Sequence, residues 1–211
     1  MSVPPVDTAR AVESGRAKKR NNAIVAVLSG VVPAAILNFY FPAHSMRWLL
    51  GFIVGLVWGN AFEYAYHRWL LHQPRSIFAR GHLEHHRTVG SPEQAEHINF
   101  GRTPLNVVAL FAGNGILLFA LEAFFHLRIA PGVLLGWTSY LILLEEIHWR
   151  LHMEEWLLPG LHFARAYHLS HHDVPNTRYN VFLPLFDFLF GNAKVPLPNS
   201  PIQTIPRSRV H

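Results

Sequence analysis

Residues 48–72 read WLLGFIVGLVWGNAFEYAYHRWLLH. The first part, Trp48–Tyr66, carries one charge, Glu63. At about 1.5 Å of rise per residue it is long enough to cross a hydrocarbon core. It then runs directly into two histidines, His67 and His72. An apolar helix that delivers imidazoles at its end is the unit from which the rest of the chain can be read.

Three further stretches are long and apolar enough to span: Ala23–Phe41, Leu105–Phe125 and Ile129–Ile147. The composition agrees, with 50% apolar and 15% charged residues in 211, a lean charge content for a soluble domain. No cysteine is present, which excludes disulfides, thiolate zinc sites and iron–sulfur clusters. The net charge of +5 is scattered and comes with no groove-reading motif, so we expect no nucleic-acid partner and take a membrane surface as its counterpart. The first span follows Arg16, Lys18, Lys19 and Arg20, and its length favours an anchor over a cleaved signal.

Charge also orients the spans. The connections Pro42–Arg47 and His126–Arg128 hold one arginine each, whereas sixteen of the eighteen Lys and Arg fall before the first span, between the second and third, or after the fourth. The positive-inside rule then puts both termini and the middle loop in the cytoplasm. The expected fold is an all-α membrane protein: four transmembrane helices in two hairpins, with a cytoplasmic helical cap carrying a histidine dimetal site. Residues 1–20 read as a disordered basic tail, 21–194 as the membrane domain and 195–211 as a flexible tail.

The cap sequence holds the chemistry. Ten of the fifteen histidines fall in four windows: His67 and His72; His82, His85 and His86; His148 and His152; His168, His171 and His172. On a helix, positions i, i+3 and i+4 share a face, so each HxxHH aligns its first ring with the other two. Adjacent rings diverge by about 100°, so His85/His86 and His171/His172 can point at different metals. His148 and His152 form an i, i+4 clip. His67 and His72 lie about 140° apart on an ideal helix and need a local distortion or two targets. Ten nitrogens exceed one ion and suit two with about five each. Imidazole alone admits Zn, Cu, Fe or Ni. Proton competition near the free imidazole pKa of about 6.5 should weaken binding in mild acid.

Around the boxes, Glu63 and Glu145 precede His67 and His148 by one helical turn and are candidates to accept a ring N–H. Asp187 is a candidate for the same supporting role or for a cap. His97 and His162 lie near the boxes without belonging to one; His44, His126 and His211 read as headgroup or capping contacts. The two halves also resemble each other. Each has a pair of spans, an acidic residue, a two-histidine box with Arg and Trp, and a His-Leu-x-His-His cluster. A duplication would place His67 over His148 and His82 over His168.

The order HxxxxH, HxxHH, HxxxH, HxxHH beside apolar spans resembles the fatty acid hydroxylase and sterol desaturase superfamily, over about Trp48 to Asn192 and including the closing Asp187-Phe-Leu-Phe-Gly191. The resemblance implies that the ten box histidines bind two Fe ions, with Zn a possible substitute, and that O2 is the co-substrate for hydroxylation of a lipid C–H bond. It implies a separate electron donor, a ferredoxin or cytochrome b-type carrier with its reductase, and an inner bacterial membrane in preference to the endoplasmic reticulum. Within the superfamily, a desaturase, sterol methyl oxidase, carotenoid hydroxylase or aldehyde-processing enzyme is the alternative. From a different class, a metal transport or storage protein would place its ligands along a path at mid-membrane, where these spans carry mainly Asn38, Asn60, Asn106, Asn114 and Glu122.

Overall fold

The glycine spacing in the second span decides how the bundle closes. Gly51, Gly55 and Gly59 recur every four residues on one face of α2 (Ser45–Tyr66); Gly51 meets Gly132, Gly55 meets Gly136 and Gly59 meets the Tyr140 ring of α6 (Ala130–His152). A methyl group on Gly51 would collide with the Ile129 carbonyl, one on Gly55 with the Val133 carbonyl, and one on Gly136 with the Phe52 carbonyl. Small residues let two backbones approach closely where lipid supplies no hydrophobic push between helices.

The computed structural model describes residues 7–99 and 103–194, which are helical with no strand. Besides α2 and α6 there are α1 (Thr8–Tyr40), α3 (Ala79–Thr88), α4 (Gln94–His97), α5 (Pro104–Phe125), α7 (His162–Asp173) and α8 (Leu185–Leu189). The expected pairing of the spans into two hairpins is not how they pack: α1 lies against α5 and α6, and α2 against α6. α6 is the hub: α2 lies along one side of it, and α1 packs on it where Gly30 meets Thr138. The turn into α6 is fixed by Glu122, a buried carboxylate near the end of α5. It accepts from the backbone N–H of Arg128, and from those of Ile129 and Ala130 at 3.0 Å each. His126 and Arg128 adopt positive φ values of 51° and 57° in that turn.

Three helices, α1, Ser45–Leu71 and α5, are long and apolar enough to cross a membrane. Their outward faces expose Leu28, Val32, Ile36, Ile53, Ile116 and Leu117. Water would not tolerate so broad an apolar surface, and the chain is an integral membrane protein. The expected fourth span, Ile129–Ile147, falls within α6, which does not meet that standard of length and apolarity. Enclosed by its neighbours, α6 has no need of a uniformly apolar surface, and it carries Thr138, Tyr140, Glu145 and Glu146.

A second departure concerns residues 1–20, expected to be a disordered tail. Asp7 accepts from the N–H groups of Ala9 and Arg10 and starts α1, so residues 8–20 are helical. This extension lies on the cap. Ala11 packs with Ala95, Ile98 and Trp149; Lys18 donates to the Glu96 carbonyl at 3.1 Å, Lys19 pairs with Glu146 at 2.6 Å and Arg16 with Glu155 at 3.2 Å. The basic run has acidic and carbonyl partners far away in sequence, which composition cannot reveal. The expected C-terminal tail, 195–211, lies outside the described residues.

Candidate metal centre

α2 does not end at Tyr66. Its last turn widens into a π-helix over His67–Leu71, with the His72 N–H on the His67 carbonyl at 3.3 Å. Wider π winding brings residues five apart onto one face, the distortion that the HxxxxH spacing requires. α3 and α7 contribute the two HxxHH sets, and the cap-side end of α6 presents His148 and His152.

The ten rings sort into two groups of five. One holds His67, His72, His82, His86 and His171; the other holds His85, His148, His152, His168 and His172. Within each group one nitrogen per ring lies within 4.8 Å of all the others. In the first group the Nε2 pairs His67/His82, His82/His86, His72/His82, His72/His171 and His86/His171 stand 3.0–3.2 Å apart. In the second, His152/His168 are 2.9 Å and His168/His172 3.2 Å apart. Two ligands at right angles, each about 2.1 Å from one ion, are separated by about 3.0 Å. The spacing and the donor set therefore fit a cation at the centre of each group.

The adjacent pairs split between the groups: His86 joins the first and His85 the second, His171 the first and His172 the second. Each group thus takes four rings from one half of the chain and one from the other. Exchanging His67 with His148, His72 with His152, His82 with His168, His85 with His171 and His86 with His172 converts one group into the other.

Burial keeps these rings neutral. It drives His82, His85, His168, His171 and His172 well below the usual imidazole value, with neighbouring rings adding to the effect. His72 is lowered to about 4 by burial, and His86 to about 3 by burial and by the His72 ring. Lone pairs are therefore available well below pH 6.5, further into acid than free imidazole would allow. His85 is buried with neither ring nitrogen hydrogen-bonded among the described residues, an arrangement that is costly without a ligand.

The loop between α7 and α8 orients two rings of the first group. The Tyr179 carbonyl accepts from His67 Nδ1, and the Thr177 carbonyl from His171 Nδ1 at 2.5 Å. An Nδ1–H engaged in this way leaves the Nε2 lone pair for a metal. Two buried carboxylates hold the loop. Asp187 accepts from the N–H groups of Tyr179 (2.9 Å) and Asn180 (2.7 Å) and from the Tyr167 hydroxyl (3.0 Å). Glu63 accepts from the Val181 N–H at 2.6 Å, from Asn180 at 3.0 Å and from the Tyr140 hydroxyl. Glu63 thus serves the site through the loop that meets His67, one step further out than its one-turn spacing suggested. Glu145 borders a cavity among α1, α5 and α6.

Of the remaining histidines, His97 is half-buried beside the site, while His44, His126 and His162 are exposed; His211 lies outside the described residues. Sequence reading missed Tyr179, Thr177 and Asn180, because backbone carbonyls and long-range partners leave no local signature. It also missed a cavity of about 10 Å³, lined by Tyr66, Phe78, His85, Ile98, Asn99 and His148 and reaching His82. This space touches both groups and is about the size of one small molecule.

A family model described as "Fatty acid hydroxylase" matches residues 52–192. A solved structure titled "Full length scs7p (only hydroxylase domain visible)" aligns with a TM-score of 0.61 at 22% identity, covering 82% of this chain and 69% of that one. At that identity the likeness speaks for the fold. No curated protein matches.

Proposed function

The chain belongs to the fatty acid hydroxylase family, and on that premise we propose that it is a di-iron oxidoreductase that uses O2 to hydroxylate a C–H bond of a lipid. The observation that carries this reading is the convergence of ten neutral imidazoles into two groups of five. Five nitrogens per ion leave room for an exogenous ligand, which a storage site would not need. In the transport alternative ligands would line a path through the bilayer, whereas these rings gather at the cap ends of α2 and α6.

Iron, when bound, would supply the oxidising power to cleave an unactivated C–H bond. The protein's residues do the rest. Tyr179 and Thr177 fix the tautomers of His67 and His171, and Tyr66, Phe78 and Ile98 wall the small cavity against water. That cavity is where one small molecule such as O2 would reach the imidazoles. α6 serves as a fourth span sheltered by the others, and the basic residues put the cap in the cytoplasm. There an electron carrier delivers two electrons; these 211 residues include no cysteine with which to build an iron–sulfur centre of their own.

Lipid mass spectrometry tests the reading in cells expressing the chain against a His168→Ala/His171→Ala variant, which takes one ring from each group. A species one oxygen heavier, absent from the variant, is expected. A species two hydrogens lighter would make the enzyme a desaturase. No difference, with the wild-type protein metal-loaded, would overturn the assignment.

A further inference from the structure

Asn22 sits on α1 at 2% exposure, between the cap-bound Lys19 and the apolar run that begins at Ala23, and neither its amide oxygen nor its amide nitrogen has a hydrogen-bond partner among the described residues. A carboxamide stripped of water and left unpaired is costly. In a membrane helix a polar residue of this kind usually bonds a neighbouring helix or lines a ligand path. Asn22 does not bond its neighbours. It borders a cavity of about 30 Å³ otherwise walled by Ala23 and Ala26 of α1, Val107 and Leu110 of α5, and aliphatic residues and Glu145 of α6.

This cavity is a neighbour of the one at the metal centre, with which it shares the α5/α6 seam and no lining residue. Asn106 lines the upper cavity and Val107 the lower; His148 lines the upper and Glu145, one turn earlier on α6, the lower. Glu145 and His148 are separated by about 4.5 Å along the helix axis. The two spaces are therefore stacked along the α5/α6 seam, one at the imidazoles and the other about one turn deeper in the membrane domain. Asn22 and its α1 neighbours precede residues 52–192, so this wall is not part of the family-matched segment.

We propose that the lower cavity is a subsite for a polar group of the lipid that both donates and accepts a hydrogen bond, a hydroxyl or an amide, held by the Asn22 carboxamide while the chain it belongs to reaches the upper cavity. The inference rests on the lipid-hydroxylase reading. An Asn side chain offers one acceptor and two donors, so it complements either group and has nothing to offer a bare hydrocarbon. The aliphatic part of the wall, from Ala23, Ala26, Val107 and Leu110, accommodates the adjoining methylenes. Asn22 is thereby a specificity residue: it selects which lipid is aligned with the metal centre.

The test uses the metal-loaded full-length chain in phosphatidylcholine nanodiscs, with radiolabelled hexadecanamide, hexadecan-1-ol and hexadecane as probes. The wild type is expected to bind the amide or the alcohol about tenfold more tightly than the hydrocarbon, the discrimination of one buried hydrogen-bonded contact. Asn22→Leu is expected to abolish that preference while keeping metal content and melting temperature, because it removes two unpaired polar atoms. Whichever probe loses more affinity in this variant identifies the group, amide or hydroxyl. Ala23→Leu, which fills the cavity and leaves Asn22 in place, should weaken the preferred probe as well. Equal binding of all three probes by the wild type, or a preference that persists in Asn22→Leu, would overturn the subsite and leave the cavity to water. If the preference is found and no lipid is oxidised, the enzymatic reading fails and the subsite stands; oxidation without the preference is the reverse.

Discussion

Asp187→Ala should loosen one metal and spare the other. The Asp187 carboxylate clamps the loop through the N–H groups of Tyr179 and Asn180 at 2.9 and 2.7 Å. Through that loop the carbonyls of Tyr179 and Thr177 orient His67 and His171, both in the first group. Neither carbonyl touches a ring of the second. Removing the carboxylate strands two buried N–H donors at about 1–3 kcal/mol each. Losing the partner that orients a metal ligand typically costs about 10–100-fold in affinity, which is about 1.4–2.7 kcal/mol. The first cost is at least as large as the second, so the loop will move to find water and the rings will lose their orientation. In a chelator titration followed by elemental analysis, half of the bound metal should therefore leave at about 10–100-fold lower chelator concentration, with the other half overlaying the wild type. Asp187→Asn, which retains one acceptor oxygen, should fall between. Loss of both ions together, or a curve superimposable on the wild type, would refute the claim that this loop serves one group.

Three other expectations follow from the same geometry. Gly136→Ala should lower the melting temperature in detergent by an amount equivalent to about 1–3 kcal/mol, because the new methyl group meets the Phe52 carbonyl. Gly113→Ala, with nothing near its added carbon, should be neutral or slightly stabilising by helix propensity. Glu122→Ala should cost about 2 kcal/mol or more by unpairing the three N–H groups that begin α6, read out by chemical denaturation; an unchanged midpoint would dismiss the cap. Finally, the metal-free protein should lose stability as pH falls below about 6.5. His82, His85, His168 and His171 have folded-state pKa values depressed by burial, so the unfolded chain takes up protons that the folded chain refuses. The loss is about 1.4 kcal/mol per pH unit per ring, and a melting temperature flat from pH 7 to 5 would contradict it.

The convergence of the histidines was legible in the sequence because metal chemistry imposes short-range spacing: i, i+3, i+4 on one face is written directly into HLEHH at 82–86 and HLSHH at 168–172. The division of adjacent histidines between two groups also followed from helix geometry. The π-turn at His67–Leu71 was legible only as a need, since nothing in His-Arg-Trp-Leu-Leu-His names the winding that meets it. What sequence could not supply was pairing over distance. Arg16, Lys18 and Lys19 looked like a solvated run, and become parts of α1 only once Glu155, the Glu96 carbonyl and Glu146 are brought beside them. α6 looked like one span among four; its place at the hub depends on Gly132 and Gly136 matching Gly51 and Gly55, far away in the sequence of α2.

The crossed ligands give the exchange between halves a mechanical consequence. Had each group drawn all its rings from one half, the two ions could shift independently, each riding on its own pair of spans. Instead α3 places His86 in the first group and His85 in the second, and α7 places His171 in the first and His172 in the second. One peptide unit, about 3.8 Å between Cα atoms, therefore ties the two groups together twice. A displacement of either short helix changes both groups of rings at once. The cavity that touches His82, His85 and His148 lies where this coupling is tightest, beside rings of both groups. A two-metal reaction there would gain a fixed relation between its ions from the order of two adjacent side chains, repeated once in each half of the chain.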